Sequence, residues 1–232
     1  MYRSQACQDE FVEAALGGKR NGFWLELGGS DGEKISNTFY LEKQLGWRGM
    51  TVEIDGEHAA SYRAAGRKAT HLMIGDAAAV DYPQALKDCD APAPPAAIDY
   101  LQIDLDPENG STLRALKLLE RDVMPERTFS VVTFEHDVYC CDSEKVREPS
   151  RELFARNGYV LLFPDVLAVW RSKFIAFEDW YVHPSAVKAK ALHELMQERP
   201  GMRRIRNDVL PQGLKEGLMP EDCVALTKKH FW

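Results

Sequence analysis

Residues 23–32 read FWLELGGSDG, and about twenty residues later the chain reads GMTVEID (Gly49 to Asp55). A short apolar run that breaks on glycines beside a carboxylate suits a backbone held against a ligand, because glycine has no side chain to block the approach. Further short apolar runs follow at His71–Ile74, Ile98–Ile103, Phe129–Phe134, Tyr159–Phe163 and Val166–Trp170. The segments between them predict helices near Asn37–Leu45, His58–Ala65, Tyr82–Lys87, Ser111–Asp122 and Ser150–Arg156. Nearly continuous apolar strands alternating with helices predict an α/β fold, a mostly parallel sheet with helices on both faces. Only Pro164-Asp165 separates the last two runs, too little for a crossover helix, so an antiparallel pair is expected there. A terminal helix is expected over Ala186–Arg199, with Val187, Ala191, Leu192, Leu195 and Met196 on one face.

The 232 residues suit one domain spanning 1–232, and 45% hydrophobic with 28% charged residues is the balance of a soluble globular chain. A net charge of −7 speaks against a nucleic-acid or anionic-membrane partner, since phosphates would be repelled. The basic run Arg203-Arg204-Ile205-Arg206 reads as a solvated face. The start, MYRSQACQDE, lacks a signal-peptide core, and no run approaches the ~20 apolar residues of a membrane span, so a cytoplasmic location is expected. Five cysteines without paired C-x-x-C spacing read as reduced thiols, Cys140-Cys141 included. The stretch APAPPAA (Ala91 to Ala97) reads as a stiff surface link.

Ligands of open parallel sheets sit at the carboxyl ends of the strands. The glycines after the first strand read G-G-x-x-G, not the dinucleotide G-x-G-x-x-G, and fit [DE]-x-G-x-[GAS]-x-G through Glu26, Gly28, Ser30 and Gly32. That is the pattern of pockets for S-adenosylmethionine (SAM), with Gly28, Gly29 and Gly32 clearing space and Glu26 and Asp31 placing negative charge near the ammonium and sulfonium. Glu53, in Val52-Glu53-Ile54-Asp55, is placed to accept from ribose hydroxyls. Asp76, in Gly75-Asp76-Ala77-Ala78, is placed to accept from the adenine amino group. A nicotinamide reading is disfavoured, because no Tyr has a Lys four positions later.

These residues and their flanks resemble the FkbM family of class I SAM-dependent methyltransferases. The resemblance runs over about residues 4–184: Ser4-Gln5 and Gln8-Asp9, GFWLELGGSDG, Ser36-Asn37-Thr38, Leu45-Gly46-Trp47-Arg48-Gly49 into Val52-Glu53, IDYLQID (Ile98 to Asp104), FSVVTFEHD (Phe129 to Asp137), Gly158-Tyr159 and FEDWYVHP (Phe177 to Pro184). One departure is DLDPENG at Asp104 to Gly110, where the family commonly shows D-x-E-G. The resemblance implies a Rossmann-like seven-stranded sheet of order 3-2-1-4-5-7-6. It also implies methylation of a hydroxyl on a sugar, glycan or natural product, and a cofactor site built from Glu26, Gly28, Gly29, Ser30, Asp31, Gly32, Asn37, Glu53, Ile54, Asp76, Ala77 and Asp104.

A sugar hydroxyl needs a base or a metal to remove its proton. The fourth and fifth strands are expected to bring Asp104 and Asp106 near Glu135, His136 and Asp137. Two readings stand side by side: Mg²⁺ or Mn²⁺ held by Asp104, Asp106, Glu135 and His136, or His136 or Asp104 as a general base without metal. A third is that the acids are caps and His136 is a hydrogen-bonded residue under a loop. His183, in WYVHP, is a further candidate over the acceptor, with Trp180 and Tyr181 either stacking on a sugar or packing the core. His58, His71, His193 and His230 read as surface or packing residues. Gln5, Gln8 and Asp9 read as lid residues, and His230-Phe231-Trp232 as an end packing on the domain or on a second copy in a homo-oligomer. Alternatives in function are methyl transfer to nitrogen on an amino sugar, and a SAM-binding module without catalysis.

Overall fold

The computed structural model describes residues 2–105, 110–136, 138, 144–170 and 173–188. The helix α1 (Gln8–Ala15) leads into β1 (Phe23–Leu27), followed by α2 (Phe39–Leu45), β2 (Arg48–Glu53), α3 (Gly56–Ala64), β3 (Thr70–Ile74) and a short 3₁₀ turn (Ala77–Ala79). Then come α4 (Tyr82–Asp88), β4 (Ile98–Ile103), α5 (Ser111–Asp122), β5 (Phe129–Glu135), α6 (Glu144–Arg156), β6 (Val160–Trp170) and β7 (Lys173–Val182). The seven strands form one sheet of order β3-β2-β1-β4-β5-β7-β6, the expected order. Every residue of β1, β4 and β5 is buried, as continuous apolar runs between two helical layers require. Asp55 caps α3, accepting from the Glu57 and His58 N–H groups, and Asp76 caps the 3₁₀ turn, accepting from Ala78 N–H.

The antiparallel element differs from the expected one. Tyr159–Phe163 and Val166–Trp170 are not two strands, because β6 runs straight through Pro164-Asp165. Register shifts between Phe163 and Val166 and a left-handed Asp165 (φ 52°) mark a bulge there. At the edge of the sheet a proline costs no ladder hydrogen bond, so it does not end the strand. The antiparallel partner is β7, which pairs with β6 on one side and β5 on the other. Helix α6 likewise begins before the expected Ser150 and carries Pro149 inside it. Of the expected terminal helix, Ala186 and Val187 form a turn and bend, Lys188 is irregular, and the rest lies outside the described residues, as do the basic run, Cys140-Cys141, Asp137, His193 and the His230-Phe231-Trp232 end.

This reversal moves His183 away from its expected place. Because β7 runs against β5, Val182 pairs with Val131 and the His183 N–H donates to the Ser130 carbonyl, at the amino end of the parallel strands. Trp180 and Tyr181 are core residues, 1% exposed each, and Trp180 stacks on Phe11 of α1 with centroids 4.7 Å apart.

The sheet face towards α1 and α2 changes character from one end to the other. The lowest row across β2, β1, β4, β5 and β7 is Gly49, Trp24, Tyr100, Val131 and Val182, in contact with Phe11, Leu41 and Trp47. The next row is Thr51, Glu26, Gln102, Thr133 and Trp180. At the carboxyl ends, Glu53, Gly28, Asp104, Glu135 and Glu178 follow; Glu135 and Glu178 are directly paired. Aromatic packing thus anchors one end of the face, and carboxylates crowd the other.

Candidate functional site

The glycine turn after β1 takes its shape from positions where a side chain cannot fit. Gly28 has φ +78°, and a Cβ there would lie 1.8 Å from the backbone oxygen of Asp104. A Cβ at Gly29 would lie 2.0 Å from the Tyr62 hydroxyl oxygen. Ser30, left-handed at φ 48°, is held by Glu53, whose Oε2 accepts from the N–H groups of Gly29 (3.1 Å) and Ser30 (2.8 Å). Glu53 Oε1 also accepts from Asp55 N–H at 2.9 Å. One carboxylate therefore ties the turn to the end of β2.

Arg67 supports the turn from behind. Its side chain is fully buried and donates to the Gly32 carbonyl (2.8 Å), Ser36 Oγ (3.2 Å), Thr38 Oγ1 (2.8 Å) and Glu42 Oε2 (2.6 Å). The Ser36-Asn37-Thr38 motif thus has a physical role: two of its hydroxyls fasten the segment that follows the glycines.

A cavity of about 340 Å³ opens where β1, β2, β3 and β4 end. Gly28, Ser30, Glu53, Ile54, Asp76, Ala77 and Asp104 line it, which brings together seven of the residues expected at a cofactor site. Ile54 is 70% exposed, so it offers an uncovered apolar side chain beside the carboxylates of Glu53 and Asp76. His58 and Ser111 line the cavity too and escaped the sequence reading. The available signal for His58 was its place three residues after the capping Asp55.

Other expected residues lie elsewhere. Glu26 is not in the lining. It is buried beneath the turn, accepting from Thr38 Oγ1 (3.1 Å), Thr51 Oγ1 (2.7 Å) and the Tyr62 hydroxyl (2.9 Å). Burial raises its pKa, opposed by the charge of Arg67. Asp31 is occupied locally, its Oδ1 accepting from the N–H groups of Glu33 (2.9 Å) and Lys34 (2.7 Å). Gly32 donates its N–H to Ser61 Oγ at 2.7 Å. Asn37 is buried and its Oδ1 has no partner among the described residues.

Among the described residues of the expected cluster, His136 does not join Asp104 and Glu135. Side chains of adjacent residues in a strand point to opposite faces, so Glu135 and His136 part company. Glu135 pairs with Glu178, whose side chain meets α1: Gln8 Nε2 donates to Glu178 Oε1 at 3.0 Å, and Trp180 Nε1 donates to Oε2. His136 is fully buried, with Nε2 3.4 Å from Asp165 Oδ1 and 3.6 Å from Asp179 Oδ1. Burial would lower the His136 pKa, but these two carboxylates raise it. Asp106 lies outside the described residues.

Among the described residues, the three metal-ligand types that come within 4.8 Å of one another are His136, Asp165 and Asp179. Their carboxylates are already neutralised. Arg151 grips Asp179 through Nε (2.7 Å) and Nη2 (2.9 Å) and also reaches Asp165 (3.1 Å), which Arg147 meets at 3.0 Å. Arginines thus already engage these carboxylate oxygens, so an ion bound by His136, Asp165 and Asp179 would have to displace them, and this cluster does not fit a metal. Glu178, absent from the sequence reading of the site, is fully buried with its pKa raised to about 8, first by burial, with the Asp104 charge adding to it.

No family model matches the chain, and no curated protein is similar to it. Solved structures are. An O-methyltransferase from Bacillus cereus in complex with SAH superposes with a TM-score of 0.50 at 18% identity, over 75% of this chain and 80% of that one. A protein from Klebsiella pneumoniae assigned as an O-methyltransferase gives 0.51 at 19% identity, covering 77% and 80%. A protein from Clostridium thermocellum assigned as an rRNA methylase gives 0.50 at 10% identity, covering 78% and 96%. This is the Rossmann-like methyltransferase fold. At such identities the likeness concerns the fold, and activity has to be argued from the site. No helix among the described residues is long and apolar enough to cross a membrane.

Proposed function

We propose that the protein is a SAM-dependent O-methyltransferase that moves a methyl group to a hydroxyl of a sugar, glycan or natural product. The observation that carries the reading is the cavity at the carboxyl ends of the strands, lined by Glu53, Ile54 and Asp76 after β2 and β3 and by the glycine turn and Asp104 after β1 and β4. Glu53 suits paired ribose hydroxyls, Ile54 an adenine face, Asp76 the adenine amino group, and the turn the methionine portion. The motif resemblance to the FkbM family supports the same cofactor and a hydroxyl acceptor.

The cofactor supplies an electrophilic methyl on a sulfonium. The protein's task is to hold the acceptor oxygen about 3 Å from that carbon, in line with the carbon–sulfur bond. The oxygen lone pair forms the new bond while the carbon–sulfur electrons return to sulfur, leaving S-adenosylhomocysteine. The hydroxyl proton passes to a carboxylate at the ends of β4 and β5, with Asp104, which lines the cavity, as the base and Glu135 beside it. His136, held under α6 by Asp165 and Asp179, orients the end of β5 rather than taking the proton.

The test is release of S-adenosylhomocysteine across a panel of sugars and hydroxylated natural products, with and without EDTA. Turnover that is indifferent to EDTA and falls about 100-fold or more in Asp104→Asn is expected. Turnover abolished by EDTA would return the metal reading, and turnover only on amines would replace the hydroxyl acceptor.

A further inference from the structure

A second cavity, of about 390 Å³, lies where the chain enters β4 and β5, at the opposite end of these strands from Asp104 and Glu135. It is bounded by α4, the APAPPAA link, the C-terminal end of α5 and the following Glu126 and Arg127, and it shares no lining residue with the first cavity. Leu86 and Val123, each 2% exposed, line it with apolar surface. Its volume falls in the range of small-molecule sites, roughly 300–1,000 Å³.

The charges lining this cavity differ in how far they are committed. Asp122 is occupied, because Arg121 donates to it from Nε (2.5 Å) and Nη2 (2.7 Å). Lys87, Asp90 and Glu126 are exposed to water. Arg127 is half-buried. Arg67, Arg147 and Arg151, which are buried or half-buried too, each hold a carboxylate, at 2.6, 3.0 and 2.7 Å. Arg127 instead donates from Nη1 to the Pro92 carbonyl at 2.6 Å, and among the described residues it has no carboxylate within ion-pair distance. Its Nε and Nη2 make no bond among those residues. Burial lowers its pKa, and the Glu126 charge opposes this from further away. A guanidinium drawn partly out of water with donors to spare is costly unless an anion meets it.

We propose that this cavity is a second small-molecule site, which takes a monocarboxylate with an apolar body. The carboxylate lies on the Nε–Nη2 edge of Arg127, a planar fork that matches its two oxygens, and the body lies against Leu86 and Val123. The surrounding charges narrow the class. Asp90 and Glu126 repel a second negative charge, which disfavours phosphate, while Lys87 and Arg127 repel a cation. The site does not depend on what the first cavity binds.

The experiment titrates the full-length protein with phenylbutyrate and, in parallel, with inorganic phosphate and phenethylamine, read by saturation-transfer NMR. Wild type should bind phenylbutyrate about 10-fold or more tighter than either control. Arg127→Gln should weaken phenylbutyrate about 10-fold or more, the loss of hydrogen bonds between charged groups. Glu126→Gln, at an exposed position, should tighten it about twofold by removing a repelling charge. This second variant keeps the test decisive if Arg127→Gln does not fold. No binding of phenylbutyrate by wild type, unchanged affinity in Arg127→Gln, or weaker or unchanged affinity in Glu126→Gln would overturn the assignment. So would binding of phosphate or phenethylamine as tight as that of phenylbutyrate.

Discussion

Glu178 and Asp179 are neighbours on β7, both acidic and both fully buried, and their surroundings drive them in opposite directions. Glu178 faces α1, where its partners are the amide of Gln8 and the indole of Trp180, and its carboxyl is pushed up to about 8. Asp179 faces α6. Burial would raise it as well, but the bidentate Arg151 and the His136 imidazole hold it well below the usual carboxylate range. One step along a strand exchanges a neutral hydrogen-bonded acid for a locked ion pair. The difference teaches that the two faces at this end of the sheet have separate tasks. The α6 face is an ionic clamp on the end of β5, and the α1 face holds carboxyls next to the proposed reaction site.

The largest effect is expected from breaking the clamp. Arg151→Met leaves Asp179 buried without its main partner and should cost about 3–5 kcal/mol in urea unfolding. Little change would mean that the pairing is incidental.

On the other face the prediction concerns pH. Glu178 keeps its proton in the folded state up to about pH 8, whereas the unfolded chain releases it near 4.5. The folded state therefore binds more protons between these values, and stability should fall as pH rises from about 5 to 8. Glu178→Gln should flatten that fall, a difference on the order of 3 kcal/mol by pH 8. Asp179 has the opposite sign: its contribution is present above about pH 4 and is lost as pH falls below. Identical pH profiles for Glu178→Gln and wild type would erase the contrast between the two acids.

A smaller effect is expected at the cofactor wall. Glu53→Gln keeps the shape but weakens the acceptor of the Gly29 and Ser30 N–H groups, and should reduce S-adenosylhomocysteine affinity about 10- to 30-fold, read by calorimetry. The smallest is expected at His183, which lies at the amino end of the sheet bonded to Ser185. His183→Ala should change stability by no more than about 0.5 kcal/mol and leave turnover intact, so a loss of turnover would restore it to the acceptor site.

Most of the fold was legible because continuous apolar runs admit few arrangements: Phe23–Leu27, Ile98–Ile103 and Ser111–Asp122 end where the sequence puts them. Pro164-Asp165 reads in sequence as a two-residue connection between two antiparallel strands, whereas an edge strand absorbs it in a bulge. The hairpin partner was passed over because FEDWYV places two acids inside an aromatic segment. Those acids are tolerated only because each face offers partners that sequence does not reveal, Gln8 on one side and Arg151 on the other. The cofactor wall was legible where an acid ends a strand, as at Glu53 and Asp76. The split between Glu135 and His136 was foreseeable from strand alternation, but their pairing with Glu178 and Asp165 depends on contacts distant in the chain.

The most direct test is calorimetric titration of the wild-type protein with S-adenosylhomocysteine, repeated with NAD⁺. Micromolar binding of the former alone, abolished by Gly28→Val, is the predicted result, because a side chain at Gly28 would strike the Asp104 backbone. Binding of NAD⁺ instead, or of neither by a folded sample, would contradict the assignment of the cavity to an adenosyl amino acid.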